Sequence, residues 1–265
     1  MGIAPVLRNL LAHPLTRGMD IDSPTTTALR RRIIREKRLL REIYTEWYAC
    51  LAASLPDGPG AVLELGSGAG FLAEAIPGAI TSELLLTTGV DLVLSGLCLP
   101  FADASLRAIV MTDVLHHMPR VESFFREASR CLRPGGVVAM VEPWVTAWSR
   151  LVYTKLHHEP FDATVADWSF PPSGPLSGAN GALPWLVFER DREKFRREFP
   201  DLEIASIRPM MPFRYLISGG VSLRGLAPAI SAPVWRLVER LLAGANGTLG
   251  MFAHIVLKRT GGPRS

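Results

Sequence analysis

Three glycines on alternate positions, Gly66, Gly68 and Gly70, follow a short apolar run of Val62, Leu63 and Leu65 that carries Glu64. Glycine has no Cβ, so the segment turns tightly and offers bare backbone N–H groups to a ligand, the chemistry of a nucleotide-binding loop. Glu83 stands close to the offset of roughly 20 residues at which an acid meets ribose hydroxyls in such folds, where a carboxylate accepts from both at once. His116 and His117 carry imidazoles that titrate near neutrality and suit a general base, and Glu142 is a second candidate. Either histidine could equally pack against or cap the helix that follows. Adjacent histidines tend to diverge, and no H-x-x-x-H spacing exists, so the sequence predicts no metal even with His157, His158 and Glu142 available.

The elements that would position these groups are legible in order. After a lead-in holding Pro5, Pro14 and Pro24, a helical pattern runs from Thr26 to Leu55. Ala61 to Leu65 reads as a buried strand, and Phe71 to Ile76 as a helix that Pro77 and Gly78 stop. Ala79 to Glu83, Val90 to Ser95 and Leu106 to Met111 read as the next strands. Val121 to Leu132 is a helix, Arg133-Pro134-Gly135-Gly136 a turn, and Val137 to Trp144 a further strand. Asp191 to Phe199 and Val234 to Leu242 are expected helices, and Leu202 to Ile207 and Met251 to Leu257 the last strands. The Pro- and Gly-rich stretch between Trp144 and Pro200 is long for a structureless loop, which points to a lid or substrate cover.

Phe71 occupies the place where a dinucleotide fingerprint requires its third glycine. The pattern E-x-G-x-G-x-G instead resembles the first motif of the class I S-adenosylmethionine-dependent methyltransferases. The later segments agree in order: Leu99-Pro100-Phe101 after the third strand, Leu115-His116-His117 after the fourth, then the Arg133 to Gly136 turn. The resemblance covers roughly Ala61 to Pro143 and is similar to the type 11 methyltransferase domain. It implies an α/β fold, a doubly wound Rossmann-like seven-stranded sheet with helices on both faces, an N-terminal helical extension and a long insert after the fifth strand. The expected divisions are 1–55 lead-in and basic helix, 56–145 cofactor-binding core, 146–200 insert, and 201–265 completing strands and helix.

That resemblance also assigns roles. Gly66, Ser67, Gly68 and Gly70 would wrap the methionine part of S-adenosylmethionine, with Glu64 fixing the loop or reaching the amino group. Glu83 would take the ribose; Ser95, Gly96 and Leu97 the adenine; Thr112 and Asp113 would end the strand facing the cofactor. The family usually has an aspartate where Ser95 stands here. The implied activity is methyl transfer to a small-molecule acceptor at O, N or C. The alternative is a methyltransferase-like binding module without turnover, placed at a membrane by its basic helix. Trp144, Trp148, Tyr153, Trp168 and Trp185 suggest an apolar or aromatic acceptor pocket, or the packing of the insert.

Composition bounds the rest. The chain has 265 residues, is 48% hydrophobic and carries a net charge of +4, enough for a well-filled α/β core. No apolar run approaches the roughly 18 residues of a membrane span, and no signal-peptide pattern is recognisable. Cys50, Cys98 and Cys131 are isolated and in apolar contexts, read as core thiols in a reducing, cytoplasmic setting. Arg30, Arg31, Arg32, Arg35, Lys37, Arg38 and Arg41 crowd one segment with Ile33, Ile34, Leu39, Leu40 and Ile43 among them. That spacing suits an amphipathic helix with a solvated basic face, or one touching anionic lipid; no nucleic-acid module accompanies it.

Overall fold

The computed structural model describes residues 12–15, 17–156, 159–171, 174 and 177–261. His157 and His158, and the first residues of the lead-in, lie outside the described residues. Seven strands form one sheet: β1 (Ala61–Leu65), β2 (Ile80–Glu83), β3 (Leu92–Val93), β4 (Leu106–Thr112), β5 (Leu132–Pro143), β6 (Leu202–Met210) and β7 (Phe252–Arg259). The order is β3-β2-β1-β4-β5-β7-β6. β1 to β5 pair in parallel, and β7 runs antiparallel between β5 and β6.

The strands alternate because successive side chains point to opposite faces, and both faces are covered. Leu63, Leu65, Ile109, Met111, Val138 and Met140 face one layer, with α3 (Val121–Cys131) and residues of the insert. Phe125 sits there among the rings of Phe188, Phe195 and Phe199. Val62, Ala108, Val110, Ala139 and Val141 face the other layer, against α1 (Pro24–Glu36) and α2 (Arg38–Ala52).

The expected single helix is therefore two, and both pack on the sheet. Pro24 starts α1 rather than preventing it, since its missing N–H is no loss at a first helical position; Ser23 caps the end through its hydroxyl. The chain breaks at Lys37, whose backbone is extended, and Lys37 Nζ donates to the carbonyls of Ser218, Gly220 and Leu223 at 2.9, 2.8 and 2.5 Å. The basic face is also tied down elsewhere. Arg32, Arg35 and Arg38 pair with Glu36, Glu74 and Glu42, and Arg31 reaches Gly68 and Thr88 carbonyls.

Other differences have local causes. The helix expected over Phe71 to Ile76 is one 3₁₀ turn, Leu72–Glu74, with Phe71 outside helical geometry and its N–H given to Tyr48 OH. The third strand keeps only Leu92 and Val93, at the sheet edge. The insert contains α4 (Ala147–Leu156), α5 (Leu183–Trp185), a π turn over Leu186–Arg190 and α6 (Arg192–Glu198). Near the C-terminus stand α7 (Arg214–Ser218), α8 (Ala232–Leu241) and α9 (Asn246–Leu249). Of the cysteines only Cys131 is buried; Cys50 is half-buried and Cys98 exposed. No described helix is long and apolar enough to cross a membrane.

Candidate active site

β1 ends in the glycine loop, and Gly66 is left-handed, φ +72°, which lets the chain turn sharply under Val114. Ser67 Oγ accepts from Ser82 N at 3.0 Å and its hydroxyl donates to Glu64. Glu64, 4% exposed, is thus behind the loop and fixes it. Burial raises its carboxyl to about 7. Gly68 N donates to Glu83 Oε2 at 2.9 Å, and Leu84 N to Glu83 Oε1 at 2.8 Å. Tyr48 OH accepts from Phe71 N and fills the space a side chain at Gly70 would need. Arg31 Nε donates to Gly68 O at 2.9 Å from α1.

A cavity of about 410 Å³ opens at the C-terminal ends of β1, β2 and β4. Gly66, Glu83, Ser95, Gly96, Leu97, Thr112, Asp113 and His117 line it among the expected residues. Glu64, Ser67, Gly68, Gly70, His116 and Glu142 do not; they shape its wall from behind. Ser95 Oγ accepts from Leu97 N at 3.2 Å within its own turn. Arg130 holds the following segment through the carbonyls of Leu99 and Phe101.

At the far end the cavity meets Tyr44, Tyr153, Tyr215 and Phe252. Tyr153 alone of the expected aromatic set lines it. Trp144 and Trp168 are buried in the sheet-side core, and Trp148 Nε1 donates to Pro212 O. Thr27, Arg30 and Glu159 also line the cavity, and sequence reasoning missed all three. Thr27 belongs to the stretch read as helical, and Arg30 to its basic face. Thr27 Oγ1 and Thr112 Oγ1 are buried without a hydrogen-bond partner.

Between the two ends lies a charged cluster. Asp113 is left-handed, φ 64°, and its N–H donates to Val141 O at 2.8 Å. Glu142 ends β5 fully buried; its Oε1 accepts from Val114 N and Leu115 N at 2.8 and 2.7 Å, its Oε2 faces His116 Nδ1 at 2.8 Å. A carboxylate so committed has little left to offer as a base. His116 Nε2 lies 3.6 Å from Glu159 Oε2. Burial opposes charge on His116, but bonds to Glu142 and Glu159 hold it well above the ordinary histidine value. Burial, then the neighbouring His116, lower His117 to about 3, so its imidazole is neutral. Burial raises the Asp113 carboxyl to about 7.

Residues 63–140 match the family model described as "Methyltransferase domain". Among solved structures, the fold is similar to that of the complex between the Haloferax volcanii Trm112 methyltransferase activator and a methyltransferase. The identity is 17%, covering 90% of this chain and 96% of that one, with a TM-score of 0.53. Geranyl diphosphate C-methyltransferase from Streptomyces coelicolor A3(2) aligns at 13% identity over 94% of this chain and 89% of that one, TM-score 0.51. A SAM-dependent methyltransferase from Thermotoga maritima aligns at 14% identity over 88% and 99%, TM-score 0.50. The glycine loop and the strand order agree with these matches: residues 63–140 carry a methyltransferase domain, set in the seven-stranded Rossmann-like fold that the solved structures share.

Proposed function

We propose that the chain transfers a methyl group from S-adenosylmethionine to a small-molecule acceptor that occupies the aromatic end of the cavity. The observation that carries this reading is the single enclosure running from the glycine loop to Tyr44, Tyr153, Tyr215 and Phe252. Its size falls within the roughly 300–1,000 Å³ of small-molecule sites.

The residues present fit the cofactor. A Cβ at Gly68 would collide with Glu83 Oε2 and Thr27 Cγ2, so bare backbone is required there. The unpartnered hydroxyls of Thr27 and Thr112 await a polar ligand on the same wall. Glu83 spends two lone pairs on N–H groups and keeps two for ribose hydroxyls. Ser95, Gly96 and Leu97 would border the adenine, with serine in place of the family's aspartate. When bound, S-adenosylmethionine supplies a methyl on a sulfonium, open to in-line displacement.

The chain's own share is to align the acceptor, keep water out and receive a proton where the acceptor carries one. Away from Glu83 at the ribose position, Asp113, His117 and Glu159 are proton-accepting side chains on the wall. His116 and Glu142 hold the turn that presents them.

The test is calorimetric titration of S-adenosylhomocysteine, with Gly68→Asp and Glu83→Ala as controls, followed by transfer of labelled methyl to a panel of aromatic and aliphatic hydroxy and amino compounds. Micromolar binding lost in both variants, with label in a small product, is expected. Binding without transfer to any small molecule would favour a binding module instead.

A further inference from the structure

We propose that Nε2 of His116, Nε2 of His117 and the carboxylate of Glu159 form a site for one divalent first-row transition ion on the cavity wall. The ligand atoms of these three residues lie within 4.8 Å of one another. The two rings stand side by side, centroids 4.2 Å apart and tilted by 40°. The expectation against a metal rested on adjacent histidines diverging, and here they do not.

Both rings are oriented from behind. His116 Nδ1 meets Glu142 Oε2 at 2.8 Å, and Glu142 is itself fixed by the N–H groups of Val114 and Leu115. His117 Nδ1 meets Gly178 O at 3.2 Å. A carbonyl only accepts, so Nδ1 of His117 carries the hydrogen and Nε2 keeps its lone pair. Carboxylate and backbone carbonyl behind the ring are the outer partners that metal-ligating histidines have.

Two imidazoles and one carboxylate are the donor set of open, three-ligand zinc sites, with ligands at about 2.0–2.2 Å from the ion. Tetrahedral ligation at that length sets ligand atoms about 3.4 Å apart, so His116 Nε2 and Glu159 Oε2, at 3.6 Å, already fit, and the wider spacings, none above 4.8 Å, would close by about 1.4 Å at most. Such mixed donors favour transition ions over magnesium or calcium, which take oxygen. His117 and Glu159 line the cavity, so the open position faces it. An oxygen of the acceptor would complete the coordination, which narrows the acceptor to a hydroxyl or carboxyl compound. That last step rests on the methyl-transfer reading; the ion site does not.

The experiment uses the full chain carrying Cys98→Ser, which removes the exposed thiol, stripped with a chelator and titrated with Zn²⁺ alone by calorimetry. Co²⁺ absorption reports ligand geometry. One equivalent is expected, with Glu159→Gln and His117→Ala each weakening it by at least the about 10–100-fold that loss of an outer partner costs, while Glu159→Gln leaves the urea midpoint near that of the parent. Absent binding, binding in both variants as tight as in the parent, or tighter binding of Mg²⁺ would overturn the site. The cluster would then be an imidazolium held between two carboxylates. Methyl transfer at the same rate with and without Zn²⁺ would overturn the acceptor step while the titration still decides the site.

Discussion

Gly66 and Gly78 share a left-handed backbone, φ +72° and +80°, but not their surroundings, and that contrast isolates what the glycine loop requires. An L side chain in this conformation costs roughly 1–2 kcal/mol. Nothing lies within 4 Å of a carbon added at Gly78, so Gly78→Ala should show that strain alone. At Gly66 the added methyl would press into Val114 Cγ2, with Cγ1 and Cβ at 3.4 and 3.5 Å. Overpacking of this kind costs about 1–3 kcal/mol, so Gly66→Ala should lose about 2–5 kcal/mol in total. Urea unfolding measures both variants, and calorimetry with S-adenosylhomocysteine should find binding lost at Gly66→Ala and kept at Gly78→Ala. Val114→Ala placed in the Gly66→Ala background should return part of the loss. Equal destabilisation of the two glycine variants, or no coupling to Val114, would refute the steric argument.

Glu64→Gln should flatten a pH dependence. Its folded carboxyl sits at about 7 against an ordinary 4.5, so the native state binds the extra proton. Stability is then full below about pH 4.5 and falls as pH rises through 7, by on the order of 3 kcal/mol. Urea midpoints between pH 5 and 8 that fall equally in parent and variant would count against it. Arg31→Ala removes the donors to Gly68 O and Thr88 O and should weaken S-adenosylhomocysteine about fivefold, near 1 kcal/mol. An unchanged dissociation constant would sever α1 from the loop. Arg214, 5% exposed, binds Glu46 with both terminal nitrogens and Glu239 through Nε. Arg214→Ala should cost about 3 kcal/mol, chiefly by leaving buried Glu239 without its cation, since Glu46 is partly exposed and keeps Arg236; the loss is read as a lowered urea midpoint at constant slope.

Much of the sheet was legible because its strands are short apolar runs closed by glycine and proline, and their order followed the resemblance. The glycine loop, Glu83, and the Ser95 to Leu97 turn could be placed for the same reason. The break at Lys37 was not legible, since its cause is a set of carbonyls from the far end of the chain. Nor was the burial of Glu142 and His116 behind the cavity, because facing in or out at a strand end depends on the turn that follows. The side-by-side histidine rings depend on Gly178, in a stretch whose composition reads only as loop. Thr27, Arg30 and Glu159 reach the cavity from outside the recognisable core, where no motif marks them.

The glycine loop leads into turns of three residues instead of a helix. A full helix would aim the summed dipoles of its peptide units, positive end first, at whatever lies on the loop. That field attracts phosphates and works against a ligand bearing positive charge beside the same backbone. By spending almost no helix there, and holding the loop from α1 instead, this fold leaves out the backbone's share of positive field at that spot. The architecture thereby discriminates by charge before any side chain is consulted: a pyrophosphate finds little attraction, and a sulfonium meets little repulsion.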